Sequence, residues 1–225
     1  MPESEAVSVD LKGREPPVYI AVEGPIGVGK TTLAKKLAAT FNYATLLEDA
    51  QANPFLEKFY REGQHALATQ LSFLFQRAQK IQELRQADIF HPVRVADFLI
   101  EKDPLFARVN LDPDEFQLYE KVYRQLTIDA PRPDLVIYLQ APTDVLLSRI
   151  ENRGLHYEQG IESGYLERLN EVYSQFFLYY DDAPLLIVNA SAIDLANRAE
   201  DYRHLVDYML DIRSGRHYFN PTIFG

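Results

Sequence analysis

The sequence predicts an α/β domain in which helices flank a five-stranded parallel sheet, and three observations support this. Short apolar runs alternate with longer segments of helical periodicity, the pattern of strand–helix–strand units. A glycine-rich loop, residues 24–31, stands between the first apolar run and a segment with helical spacing. Two later apolar runs lead into a carboxylic acid, at Glu48 and at Asp97. In an open parallel sheet, the loop and both acids share the carboxyl edge, where ligands bind.

The elements follow one another along the whole chain. The predicted strands are 18–23, 44–47, 93–98, 135–139 and 185–188. Helices are predicted at about 30–41, 53–87 with a break near Gly63, 102–107, 113–129, 142–152, 162–180 and 198–213. Residues 1–17 are interpreted as a flexible lead-in, and 18–213 as the domain. The tail 214–225 is apolar without periodicity, so it could dock on its own domain, join a dimer contact or stay loose.

Composition excludes several classes of protein. No segment of the 225 residues approaches the run of about 20 apolar residues that spans a bilayer. Residues 1–17 have the pattern of neither a signal peptide nor a transit peptide. The absence of cysteine excludes disulfides and thiolate catalysis and fits a cytoplasmic protein. Because the net charge of −10 repels nucleic acid and anionic lipid, the expected partners are small molecules, with no nucleic acid and no membrane.

The glycine-rich loop carries the most specific chemical signal. Its residues, Gly24-Pro25-Ile26-Gly27-Val28-Gly29-Lys30-Thr31, have the spacing G-x-x-x-x-G-K-T, which turns backbone N–H groups toward phosphates. Lys30 can reach the β- and γ-phosphates, and the Thr31 hydroxyl can bind Mg²⁺. The alternative is a strand–helix turn that binds no ligand. The match in its strand–loop–helix context favours a nucleoside triphosphate, bound by Gly24, Gly27, Val28, Gly29, Lys30, Thr31 and Thr32.

The two strand-end acids are candidates for the remaining parts of a phosphoryl-transfer site. Glu48 could accept the proton of an acceptor hydroxyl in line with the γ-phosphate. Asp97 could hold Mg²⁺ together with Thr31. The alternatives are an exposed loop acid for Glu48 and a helix cap for Asp97.

Two further groups suggest a lid and an acceptor pocket. Arg149 and Arg153 lie four residues apart before a polar, glycine-bearing stretch, so on a helix they share one face and could close over a triphosphate. A pair of solvated arginines is the alternative. Gln70 and Arg77 lie two helical turns apart, and the glutamine amide suits a nucleobase edge. In isolation, Gln70 would be interpreted as a surface residue.

These residues resemble the deoxynucleoside kinase family, especially bacterial enzymes that phosphorylate deoxyadenosine and deoxyguanosine. The resemblance covers most of the chain, from residue 19 to about 209. Its markers are IAVEGPIGVGKTTL (20–33), NPFLEKFY (53–60), ADFLIEKDPLFA (96–107) and the lid stretch with residues 161–169 behind it. The first marker is shared with many kinases, whereas the second and third are more particular.

The resemblance implies a P-loop kinase fold with an arginine-bearing lid, and a homodimer. It implies transfer of the γ-phosphoryl group of ATP, with Mg²⁺, to the 5′-hydroxyl of a deoxynucleoside in nucleotide salvage. The roles it implies are Glu48 as base; Gln70 and Asp103, with Arg77, on the nucleobase; Phe106 stacked on that base; Tyr60 and Glu158 on the sugar 3′-hydroxyl; and Arg149 and Arg153 in the lid.

The chain departs from the family pattern at three places. Glu48 is followed by Asp49-Ala50 rather than proline, and Leu155 replaces a lid arginine found in some relatives. Phe98 stands where eukaryotic members carry an arginine, and Lys102 is close enough in sequence to substitute for it. A nucleoside monophosphate kinase of thymidylate kinase type and a non-catalytic nucleotide-binding subunit with a kinase-like fold remain alternatives. The choice between purine and pyrimidine also stays open.

Overall fold

The centre of the fold is a parallel sheet with strand order β2-β3-β1-β4-β5-β6. The computed structural model describes residues 8–86, 94–127, 130–191, 193 and 198–220. Within these residues the strands are β1 Tyr19–Glu23, β2 Ala44–Leu46, β3 Arg94–Ala96, β4 Leu135–Gln140, β5 Leu185–Asn189 and β6 Arg216–Phe219. Position 93, the predicted first residue of the third strand, lies outside the described residues.

The prediction of five strands was wrong, because the tail supplies a sixth. Strand β6 pairs with β5 in parallel, from Leu185 opposite Arg216 to Val188 opposite Phe219. Phe219 is 3% exposed, and its ring centroid lies 5.6 Å from that of Tyr208. Of the three possibilities left open for the tail, residues up to 219 therefore dock on their own domain.

Helices flank the sheet as predicted. They are α1 Lys30–Phe41, α2 Leu56–Glu62, α3 Ala66–Gln86, α4 Asp103–Asn110, α5 Pro113–Leu126, α6 Thr143–Arg153, α7 Ser163–Tyr179 and α8 Ala199–Met209. The predicted break near Gly63 is confirmed, because Gly63 ends α2 in the left-handed conformation at φ 65°. The predicted helix ends at 87 and at 128–129 fall outside the described residues.

The hydrophobic core lies around the central strands. Every residue of β1, and β4 up to Leu139, is buried, as expected for strands covered on both faces. Apolar residues of α1, α6, α7 and α8 pack on these strands. Tyr138 of β4 and Phe177 of α7 stack with ring centroids 4.0 Å apart. Helices α3, α4 and α5 share a separate apolar cluster around Leu74, Ala107 and Tyr119.

The register of the sheet determines where the polar side chains meet. Ala96 of β3 pairs with Ala21 of β1 and with Leu46 of β2, so β2 and β3 end level with each other, two residues before the end of β1. The residues that follow, including Glu48 and Asp97, therefore emerge at the same edge as the loop after β1.

The lead-in contacts the end of α8. Arg14 donates to the Asp207 carbonyl of α8 at 3.1 Å and to the Asp211 carboxylate.

Across the described ranges, every helix is too short or too polar to cross a bilayer.

Candidate active site

The phosphate loop joins β1 to α1 and is shaped by its glycines. Gly24 and Gly27 both have positive φ, at 150° and 83°. A Cβ on Gly24 would lie 2.5 Å from the Leu139 carbonyl oxygen, and one on Gly27 would lie 2.9 Å from the Leu146 carbonyl oxygen. The loop is thus packed against β4 and α6 more closely than any side chain would permit. Gly29 is the N-cap of α1, so the positive end of the helix dipole faces the loop.

Lys30 lies across its own loop. Its Nζ donates to the carbonyl oxygens of Gly24, at 2.7 Å, and Pro25, at 3.1 Å. Burial lowers the pKa of Lys30 to about 8, and the positive charge of Lys102 acts in the same direction. The lysine therefore lies beside the position that phosphates take in loops of this kind.

Asp97 connects the phosphate loop to the segment after β2. Its side chain is 2% exposed, and its Oδ2 accepts a hydrogen bond of 2.5 Å from the Thr31 hydroxyl. Its Oδ1 accepts one of 2.7 Å from the Glu48 backbone N–H. Burial raises the pKa of Asp97, while these two hydrogen bonds oppose the shift. One carboxylate thus holds both the loop and the backbone of the candidate base.

Thr31 and Asp97, the two predicted metal ligands, lie together at this point. Mg²⁺ prefers oxygen ligands and commonly takes only one or two from the protein, with phosphate oxygens and waters completing the shell. The adjacent hydroxyl and carboxylate fit that requirement. In the part of the chain that the structure describes, no group of three or more His, Cys, Asp or Glu residues could hold a metal by itself.

Arg77 bridges the candidate base and the acceptor side. Its guanidinium, on α3, donates through Nη2 to Glu48 and through Nη1 to Asp103, the first residue of α4. Arg77 and Asp103 are 4% and 1% exposed. Burial alone would raise the pKa of Glu48, but the charges of Arg77, Lys102 and Lys30 outweigh it and lower the pKa. Glu48 is therefore a carboxylate at neutral pH, able to accept a proton.

A polar atom without a partner lies on the acceptor side. The Oδ2 atom of Asp103 is buried without a hydrogen bond. Buried polar groups are normally satisfied, so this oxygen suggests a polar ligand beside α4. Gln70, on the adjoining helix α3, is 3% exposed. Phe106, three residues after Asp103 in α4, is half-buried. Its ring lies edge-on to that of Tyr173, with ring centroids 5.9 Å apart.

The lid, defined here as residues 153–160, contacts α2. Arg153 donates to Glu158 through Nε at 3.0 Å and Nη2 at 2.5 Å, a bidentate pair. Burial raises the pKa of Tyr60 well above its ordinary value, and the negative charge of Glu158 adds to the shift. A Cβ on Gly160 would lie 2.5 Å from the Tyr60 carbonyl oxygen, so lid and helix touch there.

Arg149 spans two loops instead of facing solvent. It donates to the Val28 carbonyl oxygen in the phosphate loop at 3.1 Å and to the Ala190 carbonyl oxygen after β5 at 2.7 Å. The two predicted lid arginines therefore have different partners: Arg149 lies on the phosphate loop and Arg153 on Glu158.

Phe98 and Lys102 occupy different environments. Phe98 is fully buried in an apolar cluster with Tyr19, Leu46 and Ile81. Lys102 is 1% exposed, with its Nζ 3.2 Å from the Glu23 carboxylate and 5.5 Å from the Phe106 ring centroid. The ammonium group of Lys102 therefore lies between Glu23, at the end of β1, and the ring of Phe106 in α4.

The deoxynucleoside kinase family model matches residues 20–212, nearly the whole described domain. The chain belongs to the deoxynucleoside kinase family. Deoxyguanosine kinase of Bacillus subtilis is 34% identical over 203 residues, covering 86% of this chain and 97% of that protein. Deoxyadenosine/deoxycytidine kinase of the same organism is 29% identical over 202 residues, covering 86% and 92%. Deoxyadenosine kinase from M. mycoides, solved with bound dATP, matches with TM-score 0.71 and 26% identity, covering 84% and 99%.

Membership makes this chain a nucleotide-binding transferase that phosphorylates a deoxynucleoside with ATP, on a P-loop kinase fold. One hydrogen-bond network connects five of the predicted site residues: Thr31, Asp97, Glu48, Arg77 and Asp103. A separate pair of hydrogen bonds connects Arg153 to Glu158. Among the described residues, no hydrogen bond connects Gln70 or Phe106 to that network.

Sequence reasoning missed two features of this kinase. In the sequence, Glu23 stands out only as part of a family marker, yet its carboxylate is fully buried and accepts several hydrogen bonds next to the phosphate loop. The signal available was an acid at the end of an otherwise apolar strand. Gly160 carried no signal, because its close approach to Tyr60 depends on two segments that are distant in sequence.

Proposed function

We propose that this kinase transfers the γ-phosphoryl group of ATP to the 5′-hydroxyl of a deoxypurine nucleoside, for nucleotide salvage. The observation that carries the proposal is the position of Asp97. Its carboxylate is hydrogen-bonded to Thr31 of the phosphate loop and to the backbone N–H of Glu48. One carboxylate therefore connects the loop that would bind ATP to the proposed base. Glu48 is in turn paired with Arg77, which reaches Asp103 on the acceptor side.

Glu48 is the proposed base. The 5′-oxygen attacks the γ-phosphorus, the bond from that phosphorus to the β,γ-bridging oxygen breaks, and ADP leaves while the hydroxyl proton passes to Glu48. The positive charges that lower the pKa of Glu48 keep it ionised before the reaction. Thr31 and Asp97 would hold Mg²⁺, which when bound neutralises charge on the β- and γ-phosphates.

The acceptor is proposed to lie between α3, α4 and the lid. The Gln70 amide and the partnerless Oδ2 of Asp103 would bind the nucleobase edge beside Arg77, with Phe106 stacked on the ring. Tyr60 and Glu158 would hold the sugar 3′-hydroxyl. The 34% identity to a deoxyguanosine kinase favours a purine, whereas a relative named deoxyadenosine/deoxycytidine kinase makes cytosine the second candidate.

Cations on three sides are proposed to stabilise the transferred phosphoryl group. Lys30 and Arg149 already lie on the phosphate loop. Arg153 would join them from the lid, and Lys102 would supply the charge that is absent at Phe98.

For Lys102→Met we expect kcat to fall at least about tenfold with the nucleoside KM changed less than about threefold, because a cation that contacts the transferred phosphoryl group acts mainly in the transition state.

An acceptor panel tests the proposed function. The kinase is incubated with [γ-³²P]ATP and Mg²⁺ and each of the four deoxynucleosides or their 5′-monophosphates. We expect labelled 5′-monophosphate from deoxyguanosine or deoxyadenosine. Label on a monophosphate acceptor would indicate a thymidylate kinase type of activity instead, and no label on any acceptor would indicate a non-catalytic subunit.

We also propose a homodimer formed through α3 and α5. These helices pack on each other and expose Phe75, at 54%, and Leu118, at 52%. Contiguous exposed apolar surface marks an association site, and we propose that these two side chains on packed helices belong to one. Sedimentation should give a dimer that Phe75→Asp with Leu118→Asp converts to a monomer. A monomeric unmodified protein would contradict the proposal.

A cytoplasmic location is proposed on the grounds of chemistry. The reaction consumes ATP, and a chain of 225 residues without cysteine has no need of an oxidising compartment. Cell fractionation with activity in the cytosol is the expected result, and activity confined to another fraction would contradict it.

A further inference from the structure

The buried carboxylate of Glu23 collects hydrogen bonds from four separate groups. Glu23 is the last residue of β1 and is 0% exposed. Its Oε1 accepts from the Gly24 backbone N–H at 2.8 Å and from the Tyr173 hydroxyl at 2.8 Å. Its Oε2 accepts from the Leu99 backbone N–H at 2.8 Å, and Lys102 Nζ lies 3.2 Å away. All four neighbours are donors.

The four donors belong to both halves of the site. Gly24 is the first residue of the phosphate loop, where the donor binds. Leu99 opens the short segment that leads through Lys102 to Asp103 and Phe106, on the proposed acceptor side. Lys102 lies 5.5 Å from the Phe106 ring centroid, and Tyr173 lies edge-on to the same ring. One carboxylate therefore joins the start of the donor loop to the start of the acceptor segment.

A carboxylate is the side chain that this position requires. Four converging donors need an acceptor with no hydrogen of its own, and an ionised carboxylate has two oxygens and about four lone-pair positions. A glutamine has the same shape, but its NH₂ group would face one pair of donors. A buried donor left without an acceptor is costly, so the backbone on that side would move away.

We propose that Glu23 is a positioning residue for phosphoryl transfer, which keeps the phosphate loop and the segment 99–106 in one fixed relation. It does not touch either substrate. Its effect is to align the acceptor oxygen with the γ-phosphorus, and a misplacement of 1 Å in such an alignment can cost about a hundredfold in rate. The inference rests on the proposed transfer from ATP to a nucleoside, and turnover by the unmodified kinase in the same assay tests that transfer separately.

Glu23→Gln is the direct test. Binding of the nucleoside and of MgATP is measured by calorimetry, and kcat is then expressed per nucleoside-binding site, so that unfolded molecules are not counted. We expect both dissociation constants to stay within about threefold and kcat per site to fall at least about tenfold, because alignment acts on the reaction step rather than on either binding step. A kcat per site within about twofold of the unmodified kinase would overturn the inference.

A matched pair of tyrosine variants decides the question if Glu23→Gln does not fold. Tyr173→Phe removes one hydrogen bond from Glu23 without changing charge. Tyr202→Phe removes the hydroxyl of another fully buried tyrosine, which is hydrogen-bonded to Thr40 at 2.7 Å on another part of the fold. We expect kcat per site to fall at least about threefold in Tyr173→Phe alone. Equal kcat in the two variants would overturn the inference.

Discussion

At the scale of single residues, the fold lowers the pKa of Lys30, the lysine of the phosphate loop. Burial lowers its pKa to about 8, with Lys102 acting in the same direction, while Glu23, Glu48 and Asp97 oppose the shift. Because the pKa lies below its ordinary value, the ammonium group loses its proton as the pH rises through about 8. The neutral amine attracts phosphate less strongly than the ammonium group.

This predicts a pH dependence of ATP use. We expect kcat/KM for ATP to fall as the pH rises through about 8, since this ratio reports groups of the free enzyme. The fall in kcat should come at higher pH, because bound phosphates favour the charged lysine. Steady-state kinetics between about pH 6 and pH 10 check this, with Lys30→Arg as the control, whose guanidinium keeps its proton. A kcat/KM that stays flat across that range would contradict the prediction.

Residue positions at the sheet edge could be predicted from the sequence, whereas their pairings could not. Glu48 and Asp97 each follow a predicted strand. Because parallel strands have their carboxyl ends at one edge of the sheet, the sequence pattern predicts that the two acids lie near each other. The pairing of Glu23 with Lys102 joins residues 79 positions apart, and neither position has a periodic or spacing signal. The sequence shows that Phe98 departs from the family pattern, but only packing shows that its ring belongs to the apolar cluster with Tyr19.

At the scale of elements, the lid contacts α2 beside Tyr60, one of the two residues proposed to hold the sugar. Gly160 has no positive φ, so glycine is required there by space and not by backbone conformation. Its missing Cβ lets the lid approach the Tyr60 carbonyl oxygen, while Arg153 holds Glu158 from the other side. A side chain at 160 must therefore push the lid away from α2.

Gly160→Ala is expected to raise the deoxynucleoside KM at least about tenfold, because Tyr60 and Glu158 would no longer face the same sugar. The matched control is Gly164→Ala in α7, where the nearest heavy atom to a new Cβ is Arg168 Nη1 at 3.7 Å, an ordinary contact. Steady-state kinetics with the preferred nucleoside provide the measurement. Equal KM values for the two variants would show that the lid tolerates the displacement.

At the scale of the whole molecule, the sixth strand completes the sheet beside β5. The class of the fold and the order of its helices followed from the sequence, because long amphipathic segments and buried strands have strong patterns. Strand β6 did not, since its residues, Arg216-His217-Tyr218-Phe219, do not form an apolar run. Only one of them, Phe219, is buried, and Tyr218 beside it is 64% exposed.

The packing of β6 on β5 predicts that removing its buried side chain lowers the stability of the protein. Phe219→Ala should destabilise the kinase by about 3 kcal/mol through loss of buried aromatic surface, which lowers the melting temperature by about 6–12 °C at this chain length. Tyr218→Ala is the neighbouring control and should change the melting temperature by less than about 2 °C, because its side chain is already in solvent. Calorimetry or thermal circular dichroism measures both. A Phe219→Ala protein as stable as the control would contradict the docking of the tail.

The central claim is that Glu48, held by Asp97 beside the phosphate loop, is the base for transfer to a deoxynucleoside, and Glu48→Gln tests it most directly. Gln keeps an acceptor for Arg77 but cannot take the hydroxyl proton. A single-turnover experiment with bound deoxyguanosine or deoxyadenosine and excess MgATP gives the rate of transfer. The account predicts a nucleoside dissociation constant within about threefold of the unmodified kinase and a transfer rate at least about a hundredfold lower. An unchanged transfer rate would contradict it.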